Sequence, residues 1–544
     1  MLLAVYLAIF VFWLAGLIYL ERRFATWPFA LSGQFMIISF LGLIGLSLFH
    51  SLLFMLVLFW AIGISSLIKF KMLGLNMTGA DFIALAPITF RTLISDFKIQ
   101  TIVGVFAILS VVFIILMLPQ PAGLPDFNWK EKLAAFSVAV VFFFALHFAL
   151  NAKYRFTHHI LRQNRAHFSA FVASLFGFGP SLKLQLEHCS NDDFSFSQPV
   201  SARILTPLPD IVVVMHETTF DPRPIGLALP EALEPFFSPP GAKTGLLHVD
   251  IFGGSTWQTE FSFYCGVSSK AFGTSASYVF QLLTDKIKTA LPLAMLGKGW
   301  QTALISSDEK PLAVHENFYR SIGFERIDYP SQFIPNTDLA RWTRERDDAT
   351  TYQAALTVFD QPRQNDKPLL LSVMTYMNHA THKRQRFSDD RQRAIRDRAI
   401  ELTGSKAYGE YCVRLAESQK ARDEFMAKLA ERAKTRPILV IHYGDHQATF
   451  VPEATQYSPV DPKVLTTFYS IEGLGLELNW PEGLPADLHV TYLAAIAQAA
   501  AGLPLDKITA TLLDLARENS IKWDTVKTAA FYQNLVSEGL LTVT

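Results

Sequence analysis

Gly253-Gly254-Ser255-Thr256-Trp257-Gln258-Thr259-Glu260-Phe261 is the stretch that decides the fold of this chain. An apolar run, Leu246–Phe252, precedes it and has the character of a β-strand; the residues after it have the character of a helix. Two glycines allow a sharp backbone turn. A helix starting just after them offers free N–H groups and the positive end of a dipole, which favours an anion. A hydroxyl at such a turn is well placed as a nucleophile, and Thr256 is the candidate. A threonine hydroxyl is weak near neutral pH and requires a base or a metal ion beside it. That activator has to come from elsewhere in the chain.

On either side of this stretch lie further short, β-branched runs: Ile211–Met215, Ala303–Ser306, Leu369–Thr375, Ile438–Ile441 and Thr466–Ile471. Helical stretches separate them, the clearest being Ala407–Arg432. Fully apolar short strands alternating with helices predict an α/β domain whose mainly parallel central sheet is covered on both faces. Its ligand site belongs at the carboxyl ends of the strands. Those ends carry His216-Glu217-Thr218-Thr219 with Asp221, the Gly-Gly-Ser-Thr turn, Asn378-His379-Ala380-Thr381-His382, and Gly444-Asp445-His446-Gln447. Carboxylates, histidines and a hydroxyl together suit one divalent ion, Mn²⁺, Mg²⁺ or Zn²⁺. Such an ion lowers the pKa of a bound hydroxyl. Each motif alone has a plain alternative: Glu217 as a helix cap, Gly-Ser-Thr as turn chemistry. Recurrence at four strand ends is what gives them weight. His315 and Arg320, before Gly323-Phe324, fit phosphate contacts or an ordinary surface equally well.

The N-terminal part is different. Half of the 544 residues are hydrophobic, and the excess is concentrated in the first 150. Leu2–Leu20, Phe29–Phe49, Leu52–Ile68, Ile102–Leu118 and Leu133–Leu150 predict a bundle of about five transmembrane helices, at about 1.5 Å per residue across about 30 Å of hydrocarbon. The expected organisation is a transmembrane domain at 1–150, a basic and aromatic juxtamembrane linker at 151–205 and a catalytic domain at 206–544. Lys69–Lys98 reads as an interfacial amphipathic segment or as a loop with a short helix. Lysine and arginine balance aspartate and glutamate at 48 each, which excludes the basic surface that nucleic acid requires as a partner. Three cysteines, Cys189, Cys265 and Cys412, lie far apart without metal spacing.

An apolar N-terminal bundle together with these motifs resembles the membrane-bound branch of the alkaline phosphatase/sulfatase superfamily. That branch includes lipoteichoic acid synthases, phosphoglycerol transferases and lipid A phosphoethanolamine transferases. The carriers are Val212–Thr218, Gly253–Phe261, Asn317–Phe324, Asn378-His379 and Gly444-Asp445-His446. The resemblance implies a sulfatase-like domain in which Glu217, Thr256, Asp445 and His446 ligate one divalent metal, with Thr256 also the nucleophile. It implies that His379 binds phosphate or assists the leaving alcohol, and that His315 stands near a phosphate-contacting position. Arg320, His382 and Glu260 complete the expected substrate side. Cys265-Gly266-Val267-Ser268-Ser269 does not match the Cys/Ser-x-Pro-x-Arg of ordinary sulfatases, so formylglycine chemistry is set aside. Ser458 stands where phosphoethanolamine transferases carry another histidine, which leans the chain toward phosphoglycerol transfer.

The implied function is headgroup transfer from phosphatidylglycerol or phosphatidylethanolamine to an envelope glycan or glycolipid, through a phospho-threonine. A phosphodiesterase or phosphatase on the same site, and a non-catalytic membrane scaffold, are the alternatives. Counting lysine and arginine in the loops places the large domain in the cytoplasm. The family places it on the periplasmic side of the bacterial inner membrane, and the expectation sides with the family because long domains translocate against weak charge bias.

Overall fold

The computed structural model describes residues 2–21, 26–79, 81, 98–120, 127–154, 166–177, 184, 194–201, 207–307, 313–334, 347–379 and 381–543. The chain divides into two compact units, Met1–Pro180 and Ser181–Thr544.

The first unit is helical. Its elements are α1 (Leu2–Leu20), α2 (Trp27–Leu43), α3 (Leu48–Leu73), α4 (Lys98–Met117), α5 (Trp129–Tyr154) and α6 (His167–Gly177). Every apolar run read from the sequence is helical, but the count of five crossings is not confirmed. Among the described residues, only Leu48–Lys71 and Trp129–Leu150 are both long and apolar enough to span a membrane. The run Phe29–Phe49 is not one span. Gly45 takes φ +110°, and Ser47 caps α3 by accepting the His50 N–H. That turn shortens α2 to 17 residues and lengthens the neighbouring span to 26. At about 1.5 Å per residue, α2 falls short of the hydrocarbon thickness.

Leu17, Leu20, Phe29, Phe59, Phe143, Phe168 and Val172 form the core of this unit. The Glu21 carboxylate accepts the N–H groups of Phe168 and Ser169 at 2.7 and 2.9 Å, which satisfies donors at the start of α6. The stretch read as a linker thus contributes a helix to the first unit. Its remaining residues 155–165, 178–183, 185–193 and 202–206, like residues 82–97 of the interfacial segment, lie outside the described residues.

The second unit is built on eight strands: β1 (Asp210–His216), β2 (Lys243–His248), β3 (Gln301–Ser306), β4 (Arg326–Asp328), β5 (Leu369–Met374), β6 (Ile438–Gly444), β7 (Thr466–Leu474) and β8 (Leu488–His489). Their order is β4-β3-β5-β1-β6-β7-β2-β8. The block β4-β3-β5-β1-β6 is parallel; β7 runs against both β6 and β2, and β8 pairs parallel with β2. The sheet is therefore mixed around a mainly parallel centre. Two reversals at β7 leave β2 pointing the same way as β6, so the carboxyl ends of β1, β2, β5 and β6 share one edge.

Alternation along the strands divides the core. Ile211, Val213 and Met215 of β1 join Leu439, Ile441 and Tyr443 of β6 on one face. Val212 and Val214 join Ile438 and Val440 on the other. Both faces are buried because helices cover both, the arrangement continuous apolar strands demand.

Candidate active site

Register places the first two carboxylates. His216 of β1 lies opposite Gly444 of β6, so Glu217 and Asp445, one residue on, emerge side by side. Gly444 is required there, since a Cβ would come within 1.8 Å of the Thr219 carbonyl oxygen. Thr218 takes φ +49°, a costly left-handed conformation for a β-branched residue. Its N–H donates to Asp445 Oδ1 and its hydroxyl to Glu217 Oε1, both at 2.6 Å. Those two bonds offset the strain and lock one carboxylate to the other.

The third strand end differs from the sequence reading. β2 stops at His248, and Val249–Phe252 continue as buried, non-strand chain. Gly253, Gly254 and Ser255 then take φ values of +73°, +153° and +71°, which throws the chain over sharply. Thr256 stands at the N-cap of α7 (Trp257–Cys265), yet its side chain caps nothing. The hydroxyl instead donates to Glu217 Oε2 at 3.1 Å. A threonine at an N-cap normally directs its oxygen at the helix N–H groups; here that oxygen faces the carboxylates.

His446 completes the corner. Its Nδ1 lies 2.9 Å from the Gln447 carbonyl oxygen, an acceptor only, so Nδ1 carries the proton. The unprotonated Nε2 faces Asp445 Oδ2 at 3.2 Å and Glu217 Oε1 at 3.7 Å. Asp445 Oδ2 is buried without a hydrogen-bond donor. Ligand atoms of Glu217, Asp445 and His446 lie within 4.8 Å of one another, all three residues buried. Lone pairs converging with no hydrogen between them repel unless a cation sits among them. This corner therefore fits a divalent metal of the kind that takes mixed oxygen and nitrogen ligands. Without a cation, burial and then the Glu217 charge push the Asp445 carboxyl well above its usual range. Burial also acts to raise Glu217, but His379 and His446 beside it and the hydroxyls of Thr218 and Thr256 outweigh it and lower its pKa.

The other predicted residues take varied positions. His379 is half-buried, stacks on Tyr376 at 4.3 Å between ring centroids, and lies near enough to act on Glu217 by charge. Beside it, Asn378 Nδ2 donates to Thr219 Oγ1 at 3.1 Å. His315 packs against Trp257, the residue after Thr256, at 5.6 Å, and against Phe280 at 5.2 Å. Burial pushes it down to about 4, so it faces that side as a neutral imidazole. Glu260 is buried one turn into α7, where Tyr319 donates to it at 2.9 Å. Burial, with the Asp445 and Glu217 charges added, pushes it up to about 8. His382 sits within the core against Phe450 and Tyr411; burial, then Arg414, His379 and Arg386, keep it neutral. Arg320 is exposed and paired with Glu316 at 2.7 Å, outside this gathering. Thr256, Glu217, Asp445, His446 and His379 thus form one group, with His315 flanking it.

Sequence reasoning missed Thr218 as the clasp between the carboxylates, and Asp250 as the anchor of the loop that leads to Thr256. Asp250 accepts from Ser262, Ser268 and Ser269. Three serines within twenty residues of a strand-end aspartate were the available signal.

Residues 209–463 match the family model described as Sulfatase. A curated relative, an uncharacterized protein of Haemophilus influenzae, is 24% identical over 260 residues, which is 44% of this chain and 44% of that protein, so the match spans less than half of its length. Among solved structures, the integral membrane lipooligosaccharide phosphoethanolamine transferase A of Neisseria meningitidis aligns over 91% of this chain and 98% of its own, with TM-score 0.50 and 11% identity. The phosphoglycerol transferase GacH of Streptococcus pyogenes, solved with sn-glycerol-1-phosphate, aligns over 62% of this chain and 87% of its own, with TM-score 0.48 and 14% identity. At these identities the likeness is one of fold.

Proposed function

We propose, from the match of residues 209–463 to the Sulfatase family model, that the protein is a membrane-bound transferase that moves a phospholipid headgroup, phosphoglycerol or phosphoethanolamine, onto an envelope glycan or glycolipid. The observation that carries this reading is the Thr256 hydroxyl, released from helix capping and held 3.1 Å from Glu217 Oε2 beside a corner that fits a cation. Glu217, Asp445, His446 and Thr256 would hold one divalent ion, which when bound would lower the hydroxyl pKa and offset phosphoryl charge.

In the first half-reaction Thr256 Oγ attacks the lipid phosphorus. The bond from phosphorus to the diacylglycerol oxygen breaks, and a phospho-threonine forms. The hydroxyl proton passes toward Glu217, which already accepts its hydrogen bond. His379 faces the phosphoryl group and returns a proton to the departing diacylglycerol oxygen, a role suited to a half-buried imidazole. In the second half-reaction an acceptor hydroxyl gives its proton to His379 and attacks the same phosphorus, the bond from phosphorus to Thr256 Oγ breaks, and Thr256 Oγ takes back the proton held by Glu217. Catalysis of this kind is mostly positioning and charge stabilisation. The donor lies in the outer leaflet of the inner membrane, which places the catalytic unit on the periplasmic side.

Peptide mass spectrometry after incubation with phosphatidylglycerol or phosphatidylethanolamine and Mn²⁺ tests the reading. A headgroup-phosphate adduct at Thr256, absent from Thr256→Ala, is expected. Continued lipid turnover by Thr256→Ala would sink the mechanism. Headgroup appearing only free in solution would replace transferase by hydrolase.

A further inference from the structure

The segment between β5 and the next helix, α8 (Asp390–Thr403), carries Asn378, His379 and His382 and has no helix or strand among its described residues. Ordering a backbone costs about 1–2 kcal/mol per residue, so an irregular loop bearing a reactive side chain needs an external hold. That hold comes from the long helix α9 (Lys406–Arg432). Glu410, Arg414 and Ser418 recur every fourth residue along it and are 2, 3 and 1% exposed. A spacing of four puts them on one face.

Arg414 grips the loop after His379. Its Nη1 donates to the His379 carbonyl oxygen at 2.9 Å; its Nη2 donates to those of Thr381 at 2.9 Å and Arg384 at 3.2 Å. One planar guanidinium thus gathers three carbonyls, and the loop must coil around it to let that happen. Glu410 orients the fork, accepting Arg414 Nε at 3.1 Å, and its second oxygen accepts Arg396 at 3.0 Å. Glu410 also accepts the Arg386 N–H at 2.9 Å. One turn further along α9, Ser418 donates to Asp348, and Asp348 accepts the N–H groups of Tyr376 and Met377 at 3.0 Å each. His379 is therefore held on both sides by one helix face. None of the Arg414 bonds reaches Glu217, Thr256, Asp445 or His446.

We propose that Arg414 is a positioning residue that sets the His379 imidazole against the phosphoryl group. Lysine cannot replace it, because an ammonium is a point charge without the planar fork. This rests on the reading of His379 as substrate-facing.

The test compares the full-length protein with Arg414→Met, His379→Ala and the double variant, in detergent with Mn²⁺ and phosphatidylglycerol or phosphatidylethanolamine. Arg414→Met is expected to lower kcat by about 10–100-fold, as loss of an outer support does, with bound Mn²⁺ per protein unchanged. The double variant is expected to match His379→Ala within about 2-fold, because both changes remove the same contribution. Arg414→Lys is expected to recover only part of the loss, and it takes the place of Arg414→Met should that variant not fold. Losses that multiply, full turnover in Arg414→Met, or Mn²⁺ lost together with turnover would each overturn the proposal. Limited trypsin digestion reads the hold independently of activity. Lys383 and Arg384 are exposed on the tied loop, and Arg414→Met is expected to be cut there several-fold faster than the parent. If the parent turns over neither lipid, or if His379→Ala is fully active, the functional reading fails and the digestion decides; equal cutting in parent and variant overturns the hold.

Discussion

Asp250 with His489, and Asp445 with His446, are both buried aspartate–histidine pairs flanked by hydroxyls in the same unit. Asp250 is saturated. Ser262, Ser268 and Ser269 donate to it through three hydroxyls and one backbone N–H, at 2.7 to 3.0 Å. His489 Nδ1 accepts the Thr491 N–H, so its Nε2 carries a proton and points it at Asp250 Oδ1, 3.3 Å away. His446 has the opposite tautomer and turns a lone pair toward Asp445. Burial raises the Asp250 pKa, but the hydrogen bond from His489, the Lys270 charge and the Ser262 hydroxyl outweigh it and hold the carboxyl far below its usual range. The Asp445 carboxyl moves the other way. Residue type does not separate a saturated anchor from a corner that fits a cation; the supply of hydrogens does.

The comparison is easiest to break at the corner. Removing divalent ions with a chelator is expected to stop headgroup turnover, and Asp445→Asn is expected to lower it on the order of 10³-fold even with Mn²⁺ restored. Normal turnover by metal-free protein would mean that the corner is another saturated anchor. At the anchor the effect is on stability. Asp250→Ala strips His489 and three serines of their acceptor and is expected to cost about 3–5 kcal/mol in denaturant unfolding of the second unit. A cost under about 1 kcal/mol would contradict the saturation described here.

The two sites also predict opposite responses to neutralisation. In metal-free protein, Asp445→Asn supplies a donor to unmatched lone pairs and is expected to stabilise by about 1 kcal/mol. Acid has its own sign. The Asp250 pKa is depressed on folding, so its contribution is present above the unfolded value of about 4 and is lost as pH falls below that toward the folded value. Unfolding midpoints should drop below about pH 4 in the parent, and this drop should be smaller in Asp250→Ala. Smallest of all is Arg320→Ala, which removes an exposed pair four residues apart on a helix. It is expected to change stability by less than about 0.5 kcal/mol and turnover not at all; a marked loss of turnover would bring Arg320 into the site.

Much of the second unit was legible because its signals are local. Ile211–Met215, Leu369–Thr375 and Ile438–Ile441 announce buried strands by continuous apolar character, and all three are strands of the parallel block. Glu217, His379, Asp445 and His446 were legible as chemical groups following strands, whereas Thr256 lies eight residues beyond the end of β2. What escaped were short pairings and breaks. β4 and β8 have three and two residues, too few for a pattern. The end of β2 at His248 depends on its pairing with β7 and β8. The turn at Gly45 divided one apolar run and extended the next, which hydropathy alone does not register.

The sequence by itself determined which donor and acceptor groups stand at the sheet edge, because strand and turn character come from neighbouring residues. Only the tertiary structure decided their use. Glu217 and Asp445 became neighbours through the register of β1 on β6. The Thr256 hydroxyl was turned from its helix toward Glu217 by three consecutive positive φ values. Asp250 became an anchor because His489 and three serines came within hydrogen-bond reach, and Asp445 did not because no donor reached its Oδ2. Hydrogen bonds act over about 3 Å, so the partner of a buried polar group is chosen by the fold rather than by its neighbours in the chain.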